Sequence, residues 1–391
     1  MLAPATAQPV STRAALIFLF LGNIMIGSGV LAPAAMINSM TEDLGVNAVA
    51  IGALIGWGAV VLCIGAPAFG FFTNRIDRRV LLGGSLALYA VGHAASVFAP
   101  DYATLLITRL LMISGAAIFT PQAASAVALM VPEHKRASSV AVVFMGWAVA
   151  GAVVIPFMSI LGETLNWRVI YGGLAVGSAL SALGVVLLMP ARLYPARMTL
   201  KSWRDVLTRP AILILLAATC LQVMGQFTLF PYLAAELRRA AHADSPAVAL
   251  ALALYGGAGL FGSIMAARLV SSLGAARTHI ISLSAMAIGL AAWSVFSNSL
   301  TPAIVSVLIW GLGFGAGVSM QQARLISVAP ALASASVALN TSVLYLGQAG
   351  GTAIGGDLIT RDLPGYIGPA GVTFLLLAIA ASWWASRKFE A

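Results

Sequence analysis

The chain has 391 residues, of which 60% are hydrophobic and only 8% charged, with a mean hydropathy of +0.98. Soluble domains carry about 25% charged residues, so this composition cannot cover a water-facing surface and excludes a soluble globular protein. The net charge of +9 then has to be explained by where the basic residues fall rather than by a nucleic-acid partner.

Residues 1–12 are polar, and Arg13 precedes an apolar run over 14–37. A signal-peptide core spans only about 7–15 residues. Crossing a bilayer takes about 20 helical residues, so this run reads as a retained first helix. Further runs of that length lie at 48–72, 80–99, 102–131, 137–161, 168–189, 210–233, 246–270, 279–297, 301–329, 334–358 and 365–385, which predicts twelve transmembrane helices and an all-α membrane protein.

With the N-terminus placed in the cytoplasm, sixteen basic residues fall on that side: Arg13, Arg75, Arg78, Arg79, Lys135, Arg136, Arg192, Arg197, Lys201, Arg204, Arg209, Arg268, Arg277, Arg324, Arg387 and Lys388. Only Arg168, Arg238, Arg239 and Arg361 fall outside, and Arg109 lies within a helix. This is a positive-inside pattern and predicts both termini in the cytoplasm of an inner-membrane protein. The longest hydrophilic stretch, 190–209, carries five basic residues. It divides the chain into an N-terminal six-helix bundle (1–189), a cytoplasmic linker (190–209) and a C-terminal six-helix bundle (210–391). Phe69-Gly70 and Phe261-Gly262, 192 residues apart, echo each other, as a repeat of two six-helix halves requires.

Several chemistries are absent. The two cysteines, Cys63 and Cys220, sit in apolar runs and form neither a disulfide framework nor a metal motif. None of the three lysines follows a glycine, so no phosphate loop exists, and neither HExxH nor GxSxG occurs. The expectation is a non-enzyme without metal or cofactor. All twelve acids map to loops or helix ends, leaving His93 in the third helix as the titratable candidate for proton coupling. A lone histidine on an apolar helix also reads as a packing residue.

The loop after the second helix reads Gly70-Phe-Phe-Thr-Asn-Arg-Ile-Asp-Arg-Arg-Val-Leu-Leu82, and the fourth helix begins Leu105-Leu-Ile-Thr-Arg109. The fifth contains Gly146-Trp-Ala-Val-Ala-Gly151 and, five residues on, Pro156. Tyr255-Gly-Gly-Ala-Gly marks the eighth helix, and Asn340, Tyr345, Gly347 and Gln348 mark the eleventh. Together these segments resemble the major facilitator superfamily, and within it the twelve-helix bacterial drug and sugar exporters such as arabinose and chloramphenicol efflux proteins. The resemblance implies two pseudo-repeat bundles and secondary transport by alternating access. It makes the chain a monomer that exports a small organic compound, linked to the proton gradient.

It also implies residue roles. Gly70, Asn74, Arg75, Asp77, Arg78 and Arg79 would form the inward gate, with Gly70 permitting close helix approach. Asn74 stands where the family has Asp, and Asp77 where it has Gly, so a charge-based latch is weakened or rewired. Gly151 and Pro156 would let the fifth helix bend and slide. The superfamily lines its cavity with helices 1, 4, 7 and 10, which places Asn23, Arg109, Gln122, Gln222, Gln226, Gln321 and Gln322 against substrate, joined by Asn340, Tyr345 and Gln348. Each could equally be interhelical glue. With no mid-membrane carboxylate to pair it, Arg109 is expected to be partnered by amides, cavity water or substrate. Amides, aromatics and one arginine suit a neutral or anionic compound. An uncoupled facilitator or importer, and a non-transporting membrane sensor of the same fold, remain alternatives.

Overall fold

In a bilayer every backbone N–H and C=O must be paired within the protein, and a long apolar run meets that demand by becoming a helix. The computed structural model describes residues 12–73, 75–194, 200–329 and 332–389, and its long elements are helical throughout. Ten described helices are long and apolar enough to cross a membrane. One of them, Ser245–Phe296, has 52 residues and is broken at Gly274, whose φ of 76° is left-handed. At 1.5 Å per residue it would reach about 78 Å unbroken, more than two bilayer cores. It therefore holds two spans, and Ala333–Thr360 completes the twelve.

The spans are α1 (Thr12–Ala35), α2 (Ala48–Phe72), α3 (Arg78–Val97), α4 (Tyr102–Met130), α5 (His134–Thr164) and α6 (Trp167–Leu188). After the linker come α7 (Pro210–Ala241), α8 (245–273), α9 (275–296), α10 (Leu300–Val328), α11 (Ala333–Thr360) and α12 (Pro364–Phe389). Side chains of Asn47, Asp77, Asp101, Asn166 and Asp244 each accept a backbone N–H in the first turn of α2, α3, α4, α6 and α8. These caps set where five spans begin.

Three details differ from the sequence reading. The first apolar run stops at Ala35, and Ile37–Leu44 forms a separate short helix closed by left-handed Gly45, whose N–H reaches the Thr41 carbonyl. The connection expected between the eighth and ninth helices shrinks to Gly274. Residues 150–154 of α5 wind as a π-helix immediately before Pro156.

Within the first half α1 packs on α5 and α6, and α3 on α4 and α6. In the second, α7 packs on α11 and α12, and α8 and α9 pack on α10. The glycines at four-residue spacing in α11 are explained by α7. Cβ atoms at Gly347, Gly351 and Gly355 would strike the carbonyl oxygens of Cys220, Met224 and Thr228, a constant register between parallel helices. The halves meet along α2–α11 and α5–α8.

The ends of the bundle differ. At the end bearing Asp43 one buried apolar cluster crosses between the halves, joining Met36, Ile37 and Leu54 to Phe230, Tyr232 and Leu237. At the end bearing Asp77 the apolar residues of the second half, Val206, Ile212, Leu325 and Ala385, form a cluster of their own.

Candidate substrate-binding and gating site

Arg109 is wholly buried in α4. Its guanidinium donates from Nε to the Leu54 carbonyl at 2.8 Å, from Nη1 to Gly29 at 3.1 Å and from Nη2 to Val30 at 2.7 Å. One of these acceptors is vacated by the chain itself. Pro33 inside α1 has no N–H for the carbonyl four residues back, which is that of Gly29. Arg109 thus closes the proline gap in α1 and ties α1 to α2. Among the described residues its hydrogen-bond acceptors are backbone carbonyls, a partner type that the sequence reading did not name.

His93 is also fully buried, stacked edge-on against Tyr89 and beside Tyr171. Its Nδ1 lies 3.0 Å from the Tyr89 carbonyl, which can only accept, so Nδ1 carries the hydrogen and Nε2 is bare. Among the described residues Nε2 has no partner. Asn23 joins three helices of this half, donating to the Val143 carbonyl at 3.1 Å and accepting from Thr120 at 3.2 Å. Gln122 lies against Gly70, where a Cβ would meet its Nε2 at 3.5 Å. That is ordinary contact, so the close approach expected at Gly70 is not needed.

Asn74 lies outside the described residues. Arg75 is exposed and Arg79 half-buried. Arg78 is buried and donates to the carbonyls of Thr73 (2.9 Å) and Ile76 (3.2 Å) in its own loop. Asp77 accepts from the N–H groups of Arg79, Arg192 and Leu193, at 3.2, 2.8 and 3.1 Å. Partial burial pushes its carboxyl up, but those N–H groups and the Arg79 charge outweigh burial and leave its pKa below the ordinary 3.8. The residue that departs from the family pattern therefore pins the start of α3 to the chain leaving α6. In α5, a Cβ at Gly151 would meet nothing within 4 Å, whereas one at Gly256 of α8 would lie 2.4 Å from the Gly151 carbonyl. The glycine that permits this α5–α8 contact is Gly256.

In the second half the polar side chains form pairs across helices. Gln226 donates to the Tyr255 hydroxyl at 2.6 Å, beside an aromatic group in which Tyr255 lies 5.0 Å from Phe230 and 4.9 Å from Trp310. Asn340 accepts from Thr219 at 2.7 Å. Gln321 donates to the Leu215 carbonyl and accepts from Arg324 at 3.2 Å. Gln222 meets His279 at 3.1 Å. Gln348 is buried, Gln322 half-buried, and Tyr345 packs into the apolar cluster of the first half. Asn23 thus links α1, α4 and α5, while Gln222, Gln226, Gln321 and Asn340 each bond to other helices of the second half.

The sequence reading missed His279, Ser382 and the role of Arg324, which it counted among the topogenic loop charges. Arg324 is buried and binds the Ser382 hydroxyl (2.5 Å), the Ser382 carbonyl (3.0 Å) and Gln321. The available signal was its spacing of three from Gln321, which puts both on one face of α10.

At the Asp43 end the first half is tied to the second. Glu163 at the tip of α5 accepts from Arg238 of α7 and from Ser245 of α8. Asp43 accepts from Arg168 and, at 2.9 Å, from the Trp167 indole. The ion pairs that described residues form with one another, which include Arg239–Glu236 and Arg361–Asp357, all lie at this end.

Residues 17–352 match the family described as Major Facilitator Superfamily. The chain is 30% identical over 376 residues to the inner membrane transport protein YdhP of Escherichia coli K12, covering 95% of this chain and 96% of that protein. Its fold resembles a bacterial homolog of the human lysosomal transporter Spinster, in an inward-facing and occupied conformation (TM-score 0.78, 18% identity, 98% of both chains). It also resembles the D-xylose-proton symporter (TM-score 0.77, 18% identity, 96% of this chain and 97% of that one). A family match over most of the chain, a relative of that identity along nearly its full length and twelve apolar spans lead to one conclusion: the chain belongs to the Major Facilitator Superfamily and is a multi-pass inner-membrane secondary transporter of small molecules.

Proposed function

We propose that the chain is an exporter that works by alternating access between two six-helix bundles, moves a neutral or anionic organic compound outward, and is linked to the proton gradient. The observation that carries export is α5. Its π-helix over 150–154, followed by Pro156, is a locally deformable stretch placed against the backbone of α8 at Gly256. The same stretch carries the glycines and proline that resemble the exporter motif. The positive-inside bias makes the Asp43 end the outer one, so the conformation described here is closed outside. Amides and the Tyr255–Phe230–Trp310 group, with no carboxylate bonded to them among the described residues, favour a neutral aromatic or oxygen-rich compound over a cation. His93 offers a bare Nε2 as the proton-accepting atom.

The test is a substrate-panel efflux assay in everted vesicles, with and without a protonophore. Uphill movement that the protonophore abolishes is expected; downhill movement indifferent to it would establish the uncoupled facilitator, which the lack of a mid-membrane acid favours. If His93→Ala leaves protonophore-sensitive uphill efflux unaltered, the coupling group lies elsewhere. A reporter fused after Ala391 should respond as cytoplasmic and one inserted near His242 as external, and the reverse would overturn the orientation.

A further inference from the structure

We infer that the cytoplasmic end of the second half holds a site for a phosphate-bearing anion, in the cavity between the α8–α9 turn and the last turns of α10 and α12, with Arg277 as its charged ligand.

The cavity has a volume of about 630 Å³. It exists because α8 and α9 are joined without a loop. Gly274 turns the chain in one residue at a φ of 76°, and Ala275 and Ala276 follow it. These three residues wall the cavity with nothing longer than a methyl group. A Cβ at Gly274 itself would meet nothing within 4 Å. Every lining residue belongs to the second half, so the space is separate from the contact between the halves.

The lining selects the ligand. Among the described lining residues the charged ones are Arg277 and Arg324, and none is acidic, which favours an anion over a cation. Arg277 is exposed at the rim and makes no hydrogen bond or ion pair among the described residues. Its donors are therefore available, and a guanidinium can take two oxygens of one phosphate at once. Arg324 is buried in the wall, bound to Ser382 and Gln321 and 3.2 Å from Nδ1 of His279. It shapes the cavity, and the ligand is held without calling on its donors.

The neighbouring residues set the depth. Trp383 and Trp384 lie on α12 just before Ser386 of the cavity wall, and each is 48% exposed. Arg387 stacks 4.2 Å over Trp383, and Lys388 lies 5.3 Å over Trp384. Tryptophans take the headgroup level of a bilayer, so the cavity opens where lipid phosphates lie. Basic pockets between transmembrane helices on the cytoplasmic side suit such headgroups. A soluble phosphate offers the same oxygens.

Melting of the full-length protein in detergent separates the two sources and needs no transported substrate. The probes are dihexanoyl-phosphatidylglycerol and inorganic phosphate; the controls are dihexanoyl-phosphatidylcholine and chloride at matched ionic strength. At least one probe should raise the melting temperature saturably by a few degrees above its control, because a ligand of the folded state stabilises it. Arg277→Gln should abolish that gain and leave the unliganded melting temperature unchanged. Arg277→Lys, which keeps the charge without the fork, should shift the titration midpoint about tenfold upward. Arg268→Gln, which alters an exposed arginine outside the cavity, should keep the full gain. A gain with phosphatidylglycerol alone assigns the site to a lipid headgroup, and a gain with inorganic phosphate assigns it to the phosphate group whatever carries it. No gain with either probe, or an equal gain in Arg277→Gln, would overturn the inference.

Discussion

Arg109 shows how much one side chain can carry inside a bilayer. An arginine at helix centre costs about 2.5–3.5 kcal/mol on insertion scales, and three carbonyl acceptors offset part of it. Arg109→Lys keeps the charge but not the fork, so it cannot serve α1 and α2 together. The Gly29 carbonyl is then left without a donor, a loss of about 1–3 kcal/mol. The expected outcome is a lower melting temperature in detergent together with weakened transport for every substrate. A normal melting temperature with loss confined to anionic substrates would instead make Arg109 a substrate ligand. The sequence marked Arg109 because a lone charge in an apolar run stands out, and the structure buries it. The sequence could not mark its partners, because carbonyls carry no residue identity. Arg324 and His279 were less legible still. Their meeting depends on α7, α9, α10 and α12 converging, and no local pattern encodes that convergence.

At the scale of the element, the spans were legible because lipid forces apolar runs into helices, and the α11 glycine row because its spacing survives in the chain. The short helix 37–44 was hidden, being polar and attached to an apolar run. The α5–α8 contact yields a paired prediction. Gly256→Ala drives a methyl into the α5 backbone and should reduce transport sharply, whereas Gly151→Ala points into open space and should stay near wild type. Equal loss in both would assign the effect to α5 flexibility rather than to packing. Asp77 gives a pH dependence. Its carboxyl is depressed in the folded state, so the stability it contributes is present above 3.8 and is lost as pH falls through the lower folded value. Melting between pH 6 and pH 3 should therefore fall more steeply in the wild type than in Asp77→Asn, which keeps the cap but not the charge. Identical slopes would remove the carboxylate from the account.

For the molecule as a whole, the two halves are joined at the Asp43 end by apolar packing and by Glu163 reaching Arg238 and Ser245. The Arg238 side chain is 37% exposed, so the pair contributes only about 0–1 kcal/mol. That is still enough to shift a two-state equilibrium up to about fivefold. In Glu163→Gln, spin labels at the exposed positions Glu42 and His242 should report a longer or broader distance distribution, and an unchanged one would leave closure to the apolar cluster alone. The placement of the ion pairs has one more consequence. Mobile ions at 0.15 M screen exposed charges beyond about 8 Å, and higher concentrations reach closer pairs. A membrane keeps its two aqueous compartments chemically separate, so the molecule samples a different ionic strength at each end. Higher salt on the side of Asp43 screens the Glu163–Arg238 pair and weakens that tie between the halves. The expected consequence is that salt added on the Asp43 side alone moves the balance from closed toward open, read as a longer distance between labels at Glu42 and His242.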